Sequence, residues 1–346
     1  MHHRRRLIVV ILLVIVATGS LARGVEEDRE FPSEVVIGFQ TIPNGAIVAK
    51  HLGWHEETLG VPIRWVQVDS GRDLNTGIAA GSIDLGLGGS STTVAAIAQG
   101  LEAEVFYIYD IIGDNEALVV REESGIREVA DLVGKTVAAP FGATTHYHLL
   151  AALEVAGVDP DSLRIIDLQP PDLLAAWLRG DIDAGFVWEP TLARMLESGG
   201  RVLVSSRTLA EAGYVTGDIG LVRKAFAERY PELVVAYLEN QIRAVELVKS
   251  DPAAAASAIA DEFDIPVSEA RRQLDSIILL TGEQQLGAPY LGTSDDPGDL
   301  ALVFKATGDF LQDQGTIGDS PPTTVYRESI NPFYLEEAVR RRGEVR

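Results

Sequence analysis

Two short turns carry the residues best suited to chemistry. Residues 86–93 read Gly-Leu-Gly-Gly-Ser-Ser-Thr-Thr, and residues 140–147 read Pro-Phe-Gly-Ala-Thr-Thr-His-Tyr. Each runs from a predicted strand into a predicted helix. The first turn of a helix leaves backbone N–H groups without partners, so an anion can be held there without a cationic side chain. Ser90, Ser91, Thr144 and Thr145 stand at those positions. The same residues also serve as ordinary N-caps, which requires no ligand. One such turn in each half of the chain, both able to face one cleft, favours the anion reading.

Two further side chains extend the pattern. Trp188 ends a predicted strand, where a ring can wall a pocket and hold a cation on its π-face, or simply pack in the core. Asp218 falls where the chain is expected to return to its first half. A carboxylate there can pair with a ligand amine, or act as a cap or hinge contact.

Other patterns lead nowhere. Gly134-Lys135-Thr136 imitates a phosphate loop, but Val129 occupies the position of the required first glycine. Gly86 and Gly88 lack the rest of a dinucleotide fingerprint, since Ser91 stands where the third glycine belongs. His51 and His55 are spaced for a metal, yet Gly53 lies between them and a third ligand is not evident, so no metal is expected. His146 and His148 are two apart and point to different helix faces. There is no Gly-x-Ser-x-Gly elbow and no cysteine, which removes thiol nucleophiles, disulfides and lipoprotein attachment together. The chain reads as a non-enzyme without catalytic residues or a cofactor.

The elements that position these residues come from a repeat. Gly-Ser-Ile-Asp-Leu-Gly-Leu-Gly at 81–88 recurs as Gly-Asp-Ile-Asp-Ala-Gly-Phe-Val at 180–187. Both copies follow a helical pattern, stop at Gly, and give a short apolar strand before a new helix. Strands alternating with helices of about ten residues imply parallel βαβ units. The expected fold class is α/β, with two Rossmann-like lobes, a hinge and an interlobe cleft. Lobe one is expected over 33–111 and 218–320, and lobe two, inserted, over 112–217. The hinge would lie near Ile112 and Thr216. The tail 321–346, with Arg340-Arg341-Arg342, is expected to be a surface appendage.

At the N-terminus, His2-His3-Arg4-Arg5-Arg6 precedes an apolar run from Leu7 to Ala17, and Ser20-Leu21-Ala22 supplies small residues for cleavage. Residues 1–22 read as a signal peptide rather than a span, since the run is short for a bilayer. The chain has 29 basic and 51 acidic residues, net −22. Removing 1–22 takes three Arg and no acid, leaving a still more acidic protein. That balance argues against nucleic acid and against an anionic membrane surface.

Residues 114–121 (Asp-Asn-Glu-Ala-Leu-Val-Val-Arg), the Thr-Thr-His-Tyr turn, Leu-Gln-Pro-Pro at 168–171, residues 175–183 and Val-Trp-Glu-Pro at 187–190 resemble the taurine-binding proteins of ABC importers. The resemblance covers most of residues 35–315 and places the chain among taurine, alkanesulfonate and nitrate solute-binding proteins. It implies a periplasmic-binding-protein-like class II fold. It also implies a periplasmic protein, working as a monomer, that passes a small organosulfonate to a membrane permease. On that reading the two helix starts, with His146 in the second, hold the sulfonate. Asp218, Trp188 and Glu189 hold the ammonium, and Gln40 adds a contact. Glu189 stands where the family pattern often has a small residue. The alternatives are another small anion or zwitterion, and an enzyme resembling thiamine-pyrimidine synthases.

Overall fold

The structure, a computed structural model, describes residues 31–345. The expected signal peptide lies outside the described residues. From Pro32 onward the chain forms one compact unit.

Among the described residues ten strands form two five-stranded sheets. They are β1 Val35–Phe39, β2 Ile63–Gln67, β3 Leu85–Gly89, β4 Ala103–Ile111, β5 Glu116–Arg121, β6 Thr136–Ala139, β7 Arg164–Asp167, β8 Ala184–Trp188, β9 Gly200–Ser205 and β10 Gly217–Arg223. The sheet orders are β2-β1-β3-β10-β4 and β7-β6-β8-β5-β9. In each, the first three strands are parallel and the fourth runs antiparallel to its neighbours. The antiparallel strand is the first one laid down after the chain crosses from one sheet to the other: β5 follows β4, and β10 follows β9.

The sequence repeat has a structural cause. Its two copies end in β3 and β8, which hold the middle of their respective sheets. Asp84 accepts a hydrogen bond from Val36 N at 2.9 Å, and Asp183 accepts one from Thr136 N at 2.8 Å. Each aspartate pins the start of its strand to the neighbouring parallel strand. The Gly that opens each copy closes off the previous helix in the left-handed region, with φ of 70° at Gly81 and 81° at Gly180.

Burial follows strand period. On β5, Leu118 and Val120 join a cluster with Leu149 and Phe186, while Ala117 and Val119 join another with Leu173 and Trp177. Successive side chains point to opposite faces, so a sheet covered on both sides reads as a continuous apolar run.

The two crossings touch. Ile112 N donates to Thr216 O at 3.1 Å. A stretch after the helix Val267–Leu274 braces the first crossing: Ile111 and Ile278 exchange backbone bonds, and Asp114 N donates to Ser276 O. The sequence periodicity predicts that helix to run on to Leu280; the backbone bonds to β4 end it six residues earlier. A Cβ on Gly113 would lie 2.5 Å from Ser276 O, so only glycine admits this approach.

The C-terminal residues are not an appendage, which corrects the reading of 321–346. Helices Thr323–Glu328 and Phe333–Val345 bury Tyr326, Leu335 and Ala338. Val105 N donates to Ser329 O and Asn331 N to Val105 O, so this segment covers the edge strand β4. Arg341 pairs with Glu232 at 2.8 Å, and Arg342 pairs with Glu246, on the long helix Pro231–Ser250. The charges of the terminal Arg run had suggested solvent, but its neighbours are apolar residues with helical spacing.

Candidate ligand-binding cleft

The strand ends of both sheets meet around one small cavity. Its walls include Gln40 after β1, Gly89 at the end of β3, Trp188 at the end of β8, and Thr144. Asp218 and Glu116 join them from the opposite strand polarity: antiparallel strands turn their first residues, not their last, toward the cleft. Asp218 pairs with Gly89 across β10–β3, and Glu116 pairs with Trp188 across β5–β8. The two carboxylates therefore occupy equivalent places in the two sheets.

Three helices aim their N-termini at this space. Gly71–Ala79, Ser90–Ala98 and Thr144–Ala156 all begin without a side-chain cap hydrogen bond. Gly71, Gly89, Ala143 and Thr144 line the cavity. The hydroxyls themselves are engaged elsewhere. Thr144 Oγ1 donates to Glu116 Oε1 at 2.6 Å, Ser91 Oγ to Gly142 O at 3.0 Å, and Thr92 Oγ1 to Gly89 O at 2.7 Å. Ser90 Oγ accepts from Gly217 N at 3.3 Å. What remains for an anion is the backbone N–H groups and the helix dipoles.

Beside these helix starts the carboxyl groups crowd. Asp110 and Asp218 face each other across β4–β10 and both are buried. Burial first, then Asp110 and Glu116, push the Asp218 carboxyl well above the usual carboxylate range. Burial raises Asp110 to about 7, against the hydrogen bond of 3.0 Å that Asn44 donates to it. A network continues from Glu116. Ser206 Oγ lies 2.7 Å from His148 Nδ1, and His148 Nε2 donates to Tyr214 O at 2.9 Å.

The other sequence-derived candidates divide between the cavity and its rim. Gln40, Thr144, Trp188 and Asp218 meet in the cavity wall. Gln40 Nε2 also donates to Leu87 O at 3.0 Å. Thr145 is buried in the first turn of its helix and its hydroxyl has no hydrogen-bond partner. His146 stacks on Phe141 beside a larger outer groove that also includes Arg72 and Gln314. Burial lowers its pKa to about 4. Glu189 is fully buried and turned toward other partners: Arg272 donates to Oε1 at 2.9 Å and Ala193 N to Oε2 at 2.9 Å. Sequence reasoning missed Glu116, Asp110, Asn44 and Arg272. The signal for Glu116 was its place as the first residue of an antiparallel strand, visible only with the strand order. The spaced histidines are separate: His55 is buried against Tyr237, and His51 pairs with Glu262. Among the described residues no His, Cys, Asp and Glu group is arranged to hold a metal ion.

Contacts between the halves surround the cavity. Besides Ser91 to Gly142, Arg72 Nη1 donates to Asp167 Oδ2 at 2.9 Å. A Cβ on Gly89 would lie 2.8 Å from Thr144 Cγ2. The free volume inside is only about 10 Å³, room for roughly one water. An organic solute can be seated only if the halves part or the walls shift.

Two sheets of matching order around one interlobe cleft, with anion-ready helix starts, mark a known class, and the comparisons name it. Residues 42–255 match the family model described as NMT1/THI5 like. The chain belongs to that family. Among its relatives is the taurine-binding periplasmic protein of Escherichia coli (strain K12), 34% identical over 289 residues, covering 82% of this chain and 87% of the relative. The crystal structure of the periplasmic aliphatic sulphonate binding protein from Escherichia coli matches with a TM-score of 0.70 at 25% identity, covering 88% of this chain and 100% of that one. The alkanesulfonate-binding protein from Xanthomonas axonopodis pv. citri, bound to MOPS, matches with a TM-score of 0.71 at 23% identity, covering 86% and 98%. This NMT1/THI5-like chain thus has the periplasmic-binding-protein fold that the resemblance implies, with the two α/β lobes expected from its repeat.

Proposed function

We propose that this protein is the substrate-binding component of an ABC importer, capturing taurine or a closely related aminosulfonate between its lobes. The observation that carries the reading is that one cleft brings together two unlike kinds of group, helix starts and carboxyls. Uncapped helix N-termini at Gly71, Gly89 and Ala143 suit a sulfonate, which offers only acceptor oxygens. Asp218 and Glu116, with Trp188 beside them, suit an ammonium. A purely anionic solute would gain nothing from the carboxyl groups.

Lobe one comprises 33–111 and 218–320, with the following helices packed onto its β4, and lobe two 112–217, with the touching crossings as the hinge. Ligand contacts that exist only when both lobes engage drive closure as a population shift. Glu189 serves as a strut between lobe two and Arg272. The protein is exported on its signal peptide to the periplasm, acts as a monomer without turnover, and delivers its ligand to a membrane permease. Among the described residues no helix is long and apolar enough to cross a membrane.

Calorimetric titration with taurine, ethanesulfonate, sulfate and β-alanine tests the assignment. Taurine is expected to bind much more tightly than the other three. Equal affinity for ethanesulfonate removes the ammonium subsite, and equal affinity for β-alanine removes the preference for a sulfonate.

A further inference from the structure

We propose that Asp110 and Asp218 share a proton in the ligand-free cleft, and that an ammonium ligand takes the place of that proton, so that taurine uptake releases it to solvent. This inference rests on the proposed ligand class and adds a proton to its binding reaction. The two carboxyls lie directly opposite each other on neighbouring strands, and neither is accessible to solvent screening. Asp110 Oδ2 accepts from Asn44, but Asp110 Oδ1 is buried and receives no hydrogen bond from any N–H or O–H group. Directly opposite it on β10 stands the Asp218 carboxyl, and side chains paired across strands in this way lie about 5 Å apart at Cβ. Two ionised carboxylates cannot be held at that separation in a dry site, whereas one proton between them satisfies both.

The surroundings do not supply a substitute cation. Glu116, from β5, adds a third acidic group facing the pair. Tyr109 and Tyr107 on β4 face it as phenols whose titration burial has raised, and Tyr237 on the helix Pro231–Ser250 shares a hydrogen bond with Tyr109. The basic side chain beside the cluster is His148, 3.8 Å from Glu116 and on the far side of it from the strand pair. Asp218 is open to the cavity and Asp110 lies behind it. A ligand ammonium reaching Asp218 therefore donates its own N–H to the carboxylate, and the displaced proton leaves with solvent. Asp110 acts through Asp218 and is a positioning residue.

The sign follows. Binding of the cation requires the pair to give up its shared proton, so taurine affinity rises with pH until the free pair has itself lost that proton. The slope approaches tenfold per pH unit on the acid side. Calorimetry of the full-length mature protein near pH 7, in buffers of different ionisation enthalpy, reads the proton directly. Release of about one proton per taurine is expected, and close to none with ethanesulfonate. In Asp110→Asn the release should fall below the wild-type value, because one of the two groups holding the proton is gone; release unchanged from wild type would place the proton on Asp218 alone and overturn the sharing. Tight taurine binding whose heat is independent of buffer overturns the proton exchange and leaves the ligand assignment standing. Failure of taurine to bind overturns both. The wild-type measurement decides even if Asp110→Asn does not fold.

Discussion

Arg272 reaches across from the helix Val267–Leu274 to the buried carboxylate of Glu189, 2.9 Å away, and that contact takes Glu189 out of the cleft. Arg272 is about half exposed while Glu189 is sealed. The carboxyl stays above its usual range because burial outweighs the attraction of Arg272. Arg272→Ala removes the cation and leaves the acid buried. A loss of about 1–3 kcal/mol is expected, below the full cost of breaking a buried pair because Arg272 is partly solvated. Glu189 must be ionised for the loss to appear, so the melting-temperature gap to wild type should shrink as pH falls through its raised pKa. A gap that does not change with pH would remove the electrostatic explanation.

Asp218→Asn and Glu116→Gln should each weaken taurine roughly 10- to 100-fold, the worth of a charge-assisted hydrogen bond. Ethanesulfonate should be much less affected, because it lacks the amine. Glu189→Gln keeps the acceptor for Ala193 N and should change taurine affinity less than either. Titration of the three variants with both ligands checks the order; equal losses for the two ligands in Asp218→Asn would count against an ammonium contact.

Gly89→Ala tests closure separately from folding. Gly89 has φ −65°, which alanine adopts freely, so the fold should be retained. The added methyl meets Thr144 of the opposite lobe at 2.8 Å. Overpacking of this kind costs about 1–3 kcal/mol and is felt only when the lobes close. Taurine affinity should fall by roughly 5- to 100-fold, with a melting temperature near wild type in the absence of ligand. An unchanged affinity would mean that the ligand-bound lobes stand further apart than this conformation.

Truncation after Asp319 should be far more damaging than the loss of a surface tail. It removes Tyr326, Leu335 and Ala338 from the core and uncovers β4. Each large apolar side chain is worth about 1.5–3 kcal/mol, against a total stability of roughly 5–15 kcal/mol. Insoluble or unfolded protein is expected, read by circular dichroism and thermal melting. A cooperative melt near that of the full chain would restore the appendage reading.

The strands and most helices were legible because their signals are local. Apolar runs at β1, β3, β5 and β8 announce strands covered on both faces, and Gly81 and Gly180 punctuate the repeat. The helix after Val267 was overextended, because backbone bonds from Ile278 to Ile111 compete with periodicity, and that partner is 167 positions away.

By itself, the sequence determined that this is an acidic α/β chain with a repeated strand motif and two turns that run from a strand into a helix start. Those properties reside in composition and short-range pattern. Tertiary structure alone decided what surrounds each carboxylate. Asp218 and Asp110 are opposite because β10 inserts between β3 and β4, and Glu116 enters the cleft because β5 runs antiparallel. Glu189, adjacent to Trp188 in sequence, is turned away to Arg272. The charge state and partner of a buried acid depend on which distant groups lie within a few ångströms, and strand order sets that distance.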